Sequence, residues 1–469
     1  MVFSSLTFLL IFLPLLLALY FIGRGQKWRN AVLLIFSLIF YAWGEPKWIL
    51  CMIGATAVNY LTAFGIVGAK SRAVKRAFLA IGAAATLGAL FWFKYAAFFL
   101  STAYSILGAQ RAVPAVQLPI GISFYTFQIL TYSVDVYREK APVQKNPARL
   151  LLYVSCFPQL IAGPIVQYAD IAEQLDARTT TVTDFSEGIG RFSVGLGKKV
   201  LIANLCGKAV EALLSGNTSL SVAGAWLSAL LYTFQIYFDF SAYSDMAIGL
   251  GRVLGFTYRE NFRYPYVSAS VSEFWRRWHI SLGSFFRDYV YIPLGGNRKG
   301  NVRTVRNLLI VWLLTGFWHG ASWNFAVWGL YYAFWILTER FVLNRILDRI
   351  PKVLRVAGTF LIAAIGWVLF YHTSLGDGWR HILAMFGVGA AGLWDANVQE
   401  VLSSVTALPL IAAVCCLPIV PAVRAWAEKR PKRASALKIA VPILETGVLL
   451  LSLAFLIGQS YNPFIYFRF

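Results

Sequence analysis

Charge is scarce in this sequence, and negative charge is the scarcer kind. Only 13% of its 469 residues are charged, with 21 Asp and Glu against 42 Lys and Arg. A soluble domain has about a quarter of its residues charged, so the soluble globular class is excluded. Cysteine is rare too. Cys51, Cys156, Cys206, Cys415 and Cys416 sit in apolar contexts, without the spacing of a metal site or a disulfide framework. They read as packing residues, and no metal site is expected. Histidine occurs at four positions, 279, 319, 372 and 381. No Gly-x-Ser-x-Gly elbow or Ser-His-Asp order accompanies them. Internal repeats, which a transporter built from related halves would show, are missing as well. The net charge of +21 would suit a nucleic-acid partner. The basic residues, however, cluster in short loops between apolar runs, as the positive-inside rule expects, so no nucleic-acid partner is expected.

What the chain has in abundance is hydrocarbon. It is 58% hydrophobic, with a mean hydropathy of +0.63. Apolar runs at 8–22, 31–41, 356–369 and 441–457 each cover half or more of a bilayer core, which needs roughly 20 helical residues. The fold class is therefore all-α, a polytopic helical membrane protein. The 16 Trp and 23 Tyr suit interfacial belts and helix packing. The first run lacks a basic leader and a small-residue cleavage site, so it reads as a retained span. Loops 23–29 and 69–76 hold three and four basic residues and are assigned to the cytoplasm, which places the N-terminus outside. Spans are expected at 30–44, 48–68 and 77–93, with 95–108 either a span or re-entrant. Further spans are expected near 356–371, 404–422 and 439–458, and 382–403 fits no full span.

The most informative stretch runs from Ser272 to Trp328 and contains His279 and His319, 40 residues apart. Ser270 and Glu273 form a capping box ahead of FWRRWH. The spacing predicts one interfacial helix through Tyr289, with Trp278 on its apolar stripe and Arg276 and Arg277 on its basic face. His279 lies at the edge of that stripe, either as a hydrogen-bonded structural residue or as a functional one. The loop 293–306, PLGGNRKGNVRTVR, could hold the phosphates of a nucleotide-type donor through its backbone and Arg298 or Lys299. A Gly-Gly turn beside cytoplasmic charge explains it equally well. From Arg306 to His319 is 13 residues, roughly 20 Å of helix, so His319 is deep in a hydrocarbon core of roughly 30 Å. Trp318 and Trp323 flank it, and Gly316 and Gly320 allow close approach.

Other polar groups sit inside apolar helices. Gln128 and Asp135 either glue helices together or line a substrate path. Gln235, Asp239 and Tyr243 share a helix face, and Asp239 should pair with an arginine of the following basic segment, as an ion pair or as an active-site wall. Pro and Gly break the apolar run 156–168, which hints at a cavity. His372 and His381, in HTSLGDGWRH, read as solvated residues of an outer loop. An ionisable group at membrane depth is by default a functional candidate. Low dielectric should keep His319 neutral, able to take a proton from an attacking hydroxyl or to attack an acyl group itself. Acyl transfer from a thioester needs little more than such a base and a dry, shaped pocket. A transporter without covalent chemistry and an export-complex scaffold are the readings from other classes.

The motifs themselves carry a resemblance. MVFSS at the start, FYAWGEP (40–46), PIGISFYTFQ (119–128), FPQLIAGPI (157–165), YFDFSAYSDMAIG (237–249), FWRRWHISL (274–282), YIPLGGNR (291–298) and GFWHGASWNF (316–325) resemble the membrane-bound O-acyltransferase family. The likeness is greatest to the branch typified by the membrane subunit of alginate O-acetylation. The resemblance covers residues 1 to about 335 in the family's order and implies one domain over 1–469, with variable spans over 356–469. It implies the family's fold, about 11–13 spans with re-entrant and interfacial helices around a central cavity. It implies His319 as the catalytic histidine and His279 as the second signature residue. Trp318, Trp278, Arg298, Lys299, Asp239 and Gln128 are the candidate substrate- and donor-binding residues. It further implies acetyl-CoA as donor substrate, no permanently bound cofactor, and a periplasmic, esterase-like partner acyltransferase. Acetyl groups would cross the inner membrane to an exported polysaccharide such as alginate, with peptidoglycan acetylation or D-alanylation of a cell-wall polymer as alternatives.

Overall fold

Residues 1–160, 163–215, 219–458 and 461–465 are described by a computed structural model. Every regular element among them is a helix. This follows from a chain rich in apolar residues that must satisfy its backbone hydrogen bonds within each segment while in lipid. Four helices are long and apolar enough to cross a bilayer: Ile49–Gly68, Arg72–Ile106, Lys352–Tyr371 and Pro431–Gly458. The pair Ala396–Ser404 and Leu408–Cys415 is bent by 62° at its break and could count as a fifth. Its first helix ends the segment 382–403 that fitted no full span, and its second lies within the expected span 404–422, which is broken into Leu408–Cys415 and Ile419–Glu428. The break in 156–168 is present, with a short helix Phe157–Leu160, but residues 161 and 162 of it lie outside the described residues.

The chain divides into two compact units. One comprises Met1–Phe192 with Met246–Arg259, and the other Ser193–Asp245 with Glu260–Phe469.

In the first unit the helix Ile122–Tyr137 is buried nearly all round, which explains its lack of a polar face. Polar side chains stitch it to its neighbours: Ser133 Oγ donates to Asn59 Oδ1 at 2.7 Å, and Asn59 Nδ2 donates to Thr86 Oγ1 at 2.6 Å. Gly82 makes this contact possible, because a Cβ there would lie 2.7 Å from Thr62 Oγ1 and 2.8 Å from Asn59 Oδ1. The two spans expected at 77–93 and 95–108 are one run of helix, Arg72–Ile106, with a π-helical turn at Phe91–Tyr95. Lys94, which suggested a boundary, is buried there and donates to Ser123 Oγ at 3.2 Å. Its burial lets the helix continue.

In the second unit the helices Asn301–His319 and Trp323–Thr338 lie against each other through glycine. A Cβ on Gly316 would sit 2.1 Å from the Phe325 carbonyl oxygen, and one on Gly329 would sit 2.3 Å from that of Trp312. The same unit contains the long helix Val222–Val253 as far as Asp245, and Lys352–Tyr371. Aromatic side chains fill the space between these helices. Trp275 meets Trp312, Trp328 and Tyr332 at centroid distances of 4.8, 5.6 and 4.7 Å. Packing of this kind substitutes in lipid for the hydrophobic drive of a soluble core.

Candidate functional site around two histidines

The capping box is present: Ser270 Oγ accepts from the Glu273 N–H at 3.1 Å, and Glu273 Oε2 accepts from the Ala269 N–H at 2.9 Å. Arg277 adds an ion pair to Glu273. The single interfacial helix expected through Tyr289 does not form. The first helix stops at Arg277, Trp278 is extended, and His279 has a left-handed backbone (φ 45°, ψ 53°) before a second helix, Ile280–Phe286. The cause lies 18 residues upstream. Asn261 presents its backbone carbonyl to the Ile280 N–H at 2.9 Å, and its side-chain oxygen to the N–H and hydroxyl of Ser281 at 3.1 and 2.9 Å. These bonds satisfy the donors that the break frees, and Asn261 Nδ2 is fixed in turn by Ser244 Oγ at 2.9 Å.

The break turns His279 inward, where it is 3% exposed rather than at a membrane interface. Its ring is 6.4 Å from Phe240, 6.2 Å from Phe262 and 5.8 Å from Trp318, centroid to centroid. His319 ends the helix Asn301–His319 and is 5% exposed. Trp318, Trp328 and Phe370 stand edge-on around it at 4.9, 5.1 and 5.1 Å. Trp318 thus touches both imidazoles. Two histidines 40 residues apart in sequence share one aromatic wall, and that wall keeps water from both rings. Trp278 belongs to the same aromatic layer, 4.7 Å from Trp367 and 5.1 Å from Phe262. The indole N–H of Trp367 donates to the Tyr266 hydroxyl at 3.1 Å, which itself donates to the Thr233 carbonyl at 2.7 Å.

Asp239 is paired with Lys199 at 2.6 Å, with side chains 1% and 5% exposed. The arginine partner expected from the following segment is therefore replaced by a lysine from before the helix. The neighbouring Phe240 is the residue of that helix that reaches His279. Arg298 and Lys299 are exposed on the turn after Tyr291, where Gly295, Gly296 and Gly300 all have positive φ. Gln128 is fully buried in the first unit. Both polar atoms of its side chain lack a hydrogen-bond partner among the described residues, which is an unusual state for a buried amide.

His381 is not a solvated loop residue, and His372, in the loop after Tyr371, is half-buried against it. His381 is 4% exposed, and its Nε2 is 3.0 Å from the Ala225 carbonyl oxygen. That nitrogen therefore carries the proton, and Nδ1 accepts from His372 Nε2 at 2.9 Å. Asn324 Nδ2, close after His319 in sequence, donates to the His372 carbonyl at 2.6 Å. Burial holds the His372 imidazole down at about 4, helped by His381, and also lowers His381. Because the folded chain prefers neutral rings here, the stabilisation is complete above the ordinary value of 6.5 and is lost as pH falls from there through about 4. The loss at His372 amounts to at most about 3 kcal/mol. Melting temperature in detergent should fall across that window, and His372→Asn should flatten the fall. A parent protein with a level melting temperature from pH 6.5 to 4 would remove this assignment.

Comparison with known proteins agrees with this architecture. The profile of the membrane-bound O-acyltransferase family matches residues 88–374. A Pseudomonas aeruginosa protein named "Probable alginate O-acetylase AlgI" is 43% identical over 403 residues, 85% of this chain and 77% of its own. The protein of the same name from Azotobacter vinelandii is 39% identical over 505 aligned residues, the full length of both chains. The "Peptidoglycan O-acetyltransferase" of Helicobacter pylori is 34% identical over 84% of this chain and 81% of its own. The chain is an acyltransferase and belongs to the membrane-bound O-acyltransferase family.

Proposed function

We propose that this acyltransferase takes acetyl groups from acetyl-CoA on the cytoplasmic side and passes them across the inner membrane for O-acetylation of an exported polysaccharide, alginate or a similar exopolysaccharide. The observation that carries the reading is that His279 and His319, both buried, each contact Trp318 in one aromatic site. Full-length similarity to proteins named for alginate O-acetylation supports the polymer class. The Helicobacter pylori relative supports peptidoglycan as the second reading.

His319 is the proposed chemical residue. Its neutral ring can accept the proton of an acceptor hydroxyl as the oxygen attacks the thioester carbonyl; the carbon–sulfur bond then breaks and the thiolate leaves. Alternatively the ring nitrogen attacks first, the carbon–sulfur bond breaks and the thiolate leaves, and the acetyl group then passes from nitrogen to a hydroxyl whose proton the freed ring takes. His279, which also contacts Trp318, would contact the substrate or orient it. A periplasmic, esterase-like acyltransferase would receive the acetyl group and place it on the polymer. The test uses the purified full chain in sealed vesicles, given acetyl-CoA labelled in the acetyl group. His319-dependent release of CoA is expected. Release that is unchanged in the His319→Ala protein, or no release with the physiological acceptor present, would overturn the reading.

The donor end makes a second prediction. If Arg298 and Lys299 hold the phosphates of CoA, changing both to Gln should weaken acetyl-CoA binding at least about tenfold. Each charge-assisted contact is worth about 1.5–3 kcal/mol, and tenfold is about 1.4 kcal/mol. Folding should be unaffected, since both side chains are exposed. Equal affinity in a direct binding measurement would reduce the turn to cytoplasmic charge alone.

A further inference from the structure

The second unit contains a cavity of about 560 Å³, lined by Leu201, Leu205, Leu408, Ile411 and Val448 among others. It lies where the segment 194–205, the break of the bent pair and the helix Pro431–Gly458 come together. Its size falls within the range of small-ligand sites, about 300–1,000 Å³, but its chemistry excludes a polar ligand. The lining holds three side chains with a charge or a hydroxyl, and each is already satisfied within the protein. Lys198 is paired with Asp245 at 2.6 Å. Ser404 Oγ donates to the Val401 carbonyl at 2.7 Å, and Thr406 Oγ1 to that of Ser403 at 3.0 Å. The rest of the lining is hydrocarbon and glycine, so a sugar or a nucleotide would find few hydrogen-bonding partners here.

The cavity is continuous with a surface whose environment is known. Leu410 on one wall helix and Ile443, Leu444 and Leu450 on another are 69, 65, 67 and 61% exposed, and Pro431–Gly458 is one of the spans. These side chains are exposed on helices apolar enough to lie in a bilayer, and the groove is walled by the same helices. A space of this size, walled mostly by hydrocarbon, offers water few partners. We infer that the groove binds one acyl chain of a membrane phospholipid, held by its hydrocarbon and not by its headgroup.

The full chain in phosphatidylcholine vesicles, doped with a phospholipid bearing a diazirine partway along one acyl chain, tests this directly. After irradiation, adducts mapped by peptide mass spectrometry should concentrate on Leu201, Ile411 and Val448 rather than on Ile443 and Leu444. Ala407→Trp, which fills the groove from an exposed lining position, should cut those adducts roughly tenfold, the effect of an overpacking clash on the order of 1–3 kcal/mol. Leu410→Trp, on the outer face, should leave them unchanged. A lipid with the diazirine in its headgroup should not label the groove. Adducts spread evenly over all exposed apolar residues, no effect of Ala407→Trp, equal labelling by the headgroup probe, or cross-linking of a second polypeptide in the groove would each overturn the inference.

Discussion

His319→Ala should abolish polymer acetylation in cells that have no other acetylation system, while the protein still inserts and purifies. The buried ring is neutral in this reading, so its removal deletes the base without leaving an uncompensated charge in the membrane. The edge-on contacts with Trp318, Trp328 and Phe370 are lost, and aromatic pairs are worth only about 0.5–1.5 kcal/mol each beyond their burial. Loss of a positioned base, by contrast, costs about 10²–10⁴ in rate. Acetylation in cells and CoA release by purified protein should therefore collapse together, with detergent-extracted yield near that of the parent. An active His319→Ala protein would move the chemistry to another residue.

Breaking the Lys199–Asp239 pair should have the largest effect on stability. Both side chains are almost completely buried. The Ile465 N–H donates to the second Asp239 oxygen at 2.9 Å, and Lys199 also donates to the Pro463 carbonyl. Asp239→Asn leaves a buried ammonium without its counter-ion, and Lys199→Met leaves a buried carboxylate. Removing one partner of such a pair costs about 3–5 kcal/mol, whereas replacing both with apolar groups is often neutral or stabilising. Either single variant should lose most of its folded yield and melt well below the parent. The double variant Lys199→Met with Asp239→Leu should recover most of that loss. Single variants as stable as the parent would show that the pair is solvated in the membrane, contrary to its burial.

Much of the site was legible in the sequence because its signals are local. A histidine at the end of an uncharged apolar run, tryptophans beside it and a capping box forty-odd residues earlier can all be read from neighbours. What the sequence did not reveal depends on distant partners. Nothing near RRWH indicates that Asn261 will supply the acceptors that let the helix break at Trp278, so periodicity predicts a continuous helix there. Lys199 stands beside a second lysine with nothing nearby to mark its partner, and its pairing with Asp239 emerges only once the helices are packed. HTSLGDGWRH has the composition of a solvated loop, yet His381 is buried and His372 hydrogen-bonds to it. Lys94, the residue between the two expected spans 77–93 and 95–108, is likewise buried and hydrogen-bonded. A charge reads as an end of a helix until its buried hydrogen bond is known.

The backbone at position 279 has a consequence for how the residue is interrogated. A left-handed conformation costs a side-chain-bearing residue on the order of 1–2 kcal/mol, and asparagine is among the few types that adopt it readily. Alanine there alters two things together, removing the imidazole and placing a poorly suited residue at the hinge between two short helices. A weakened His279→Ala protein would not distinguish lost chemistry from a straightened hinge. Asparagine keeps the hinge and removes only the ring, and glycine frees the hinge without restoring the ring. The pair of substitutions separates what the side chain does from what the bend does, so the role of this histidine can be judged apart from the shape it sits in.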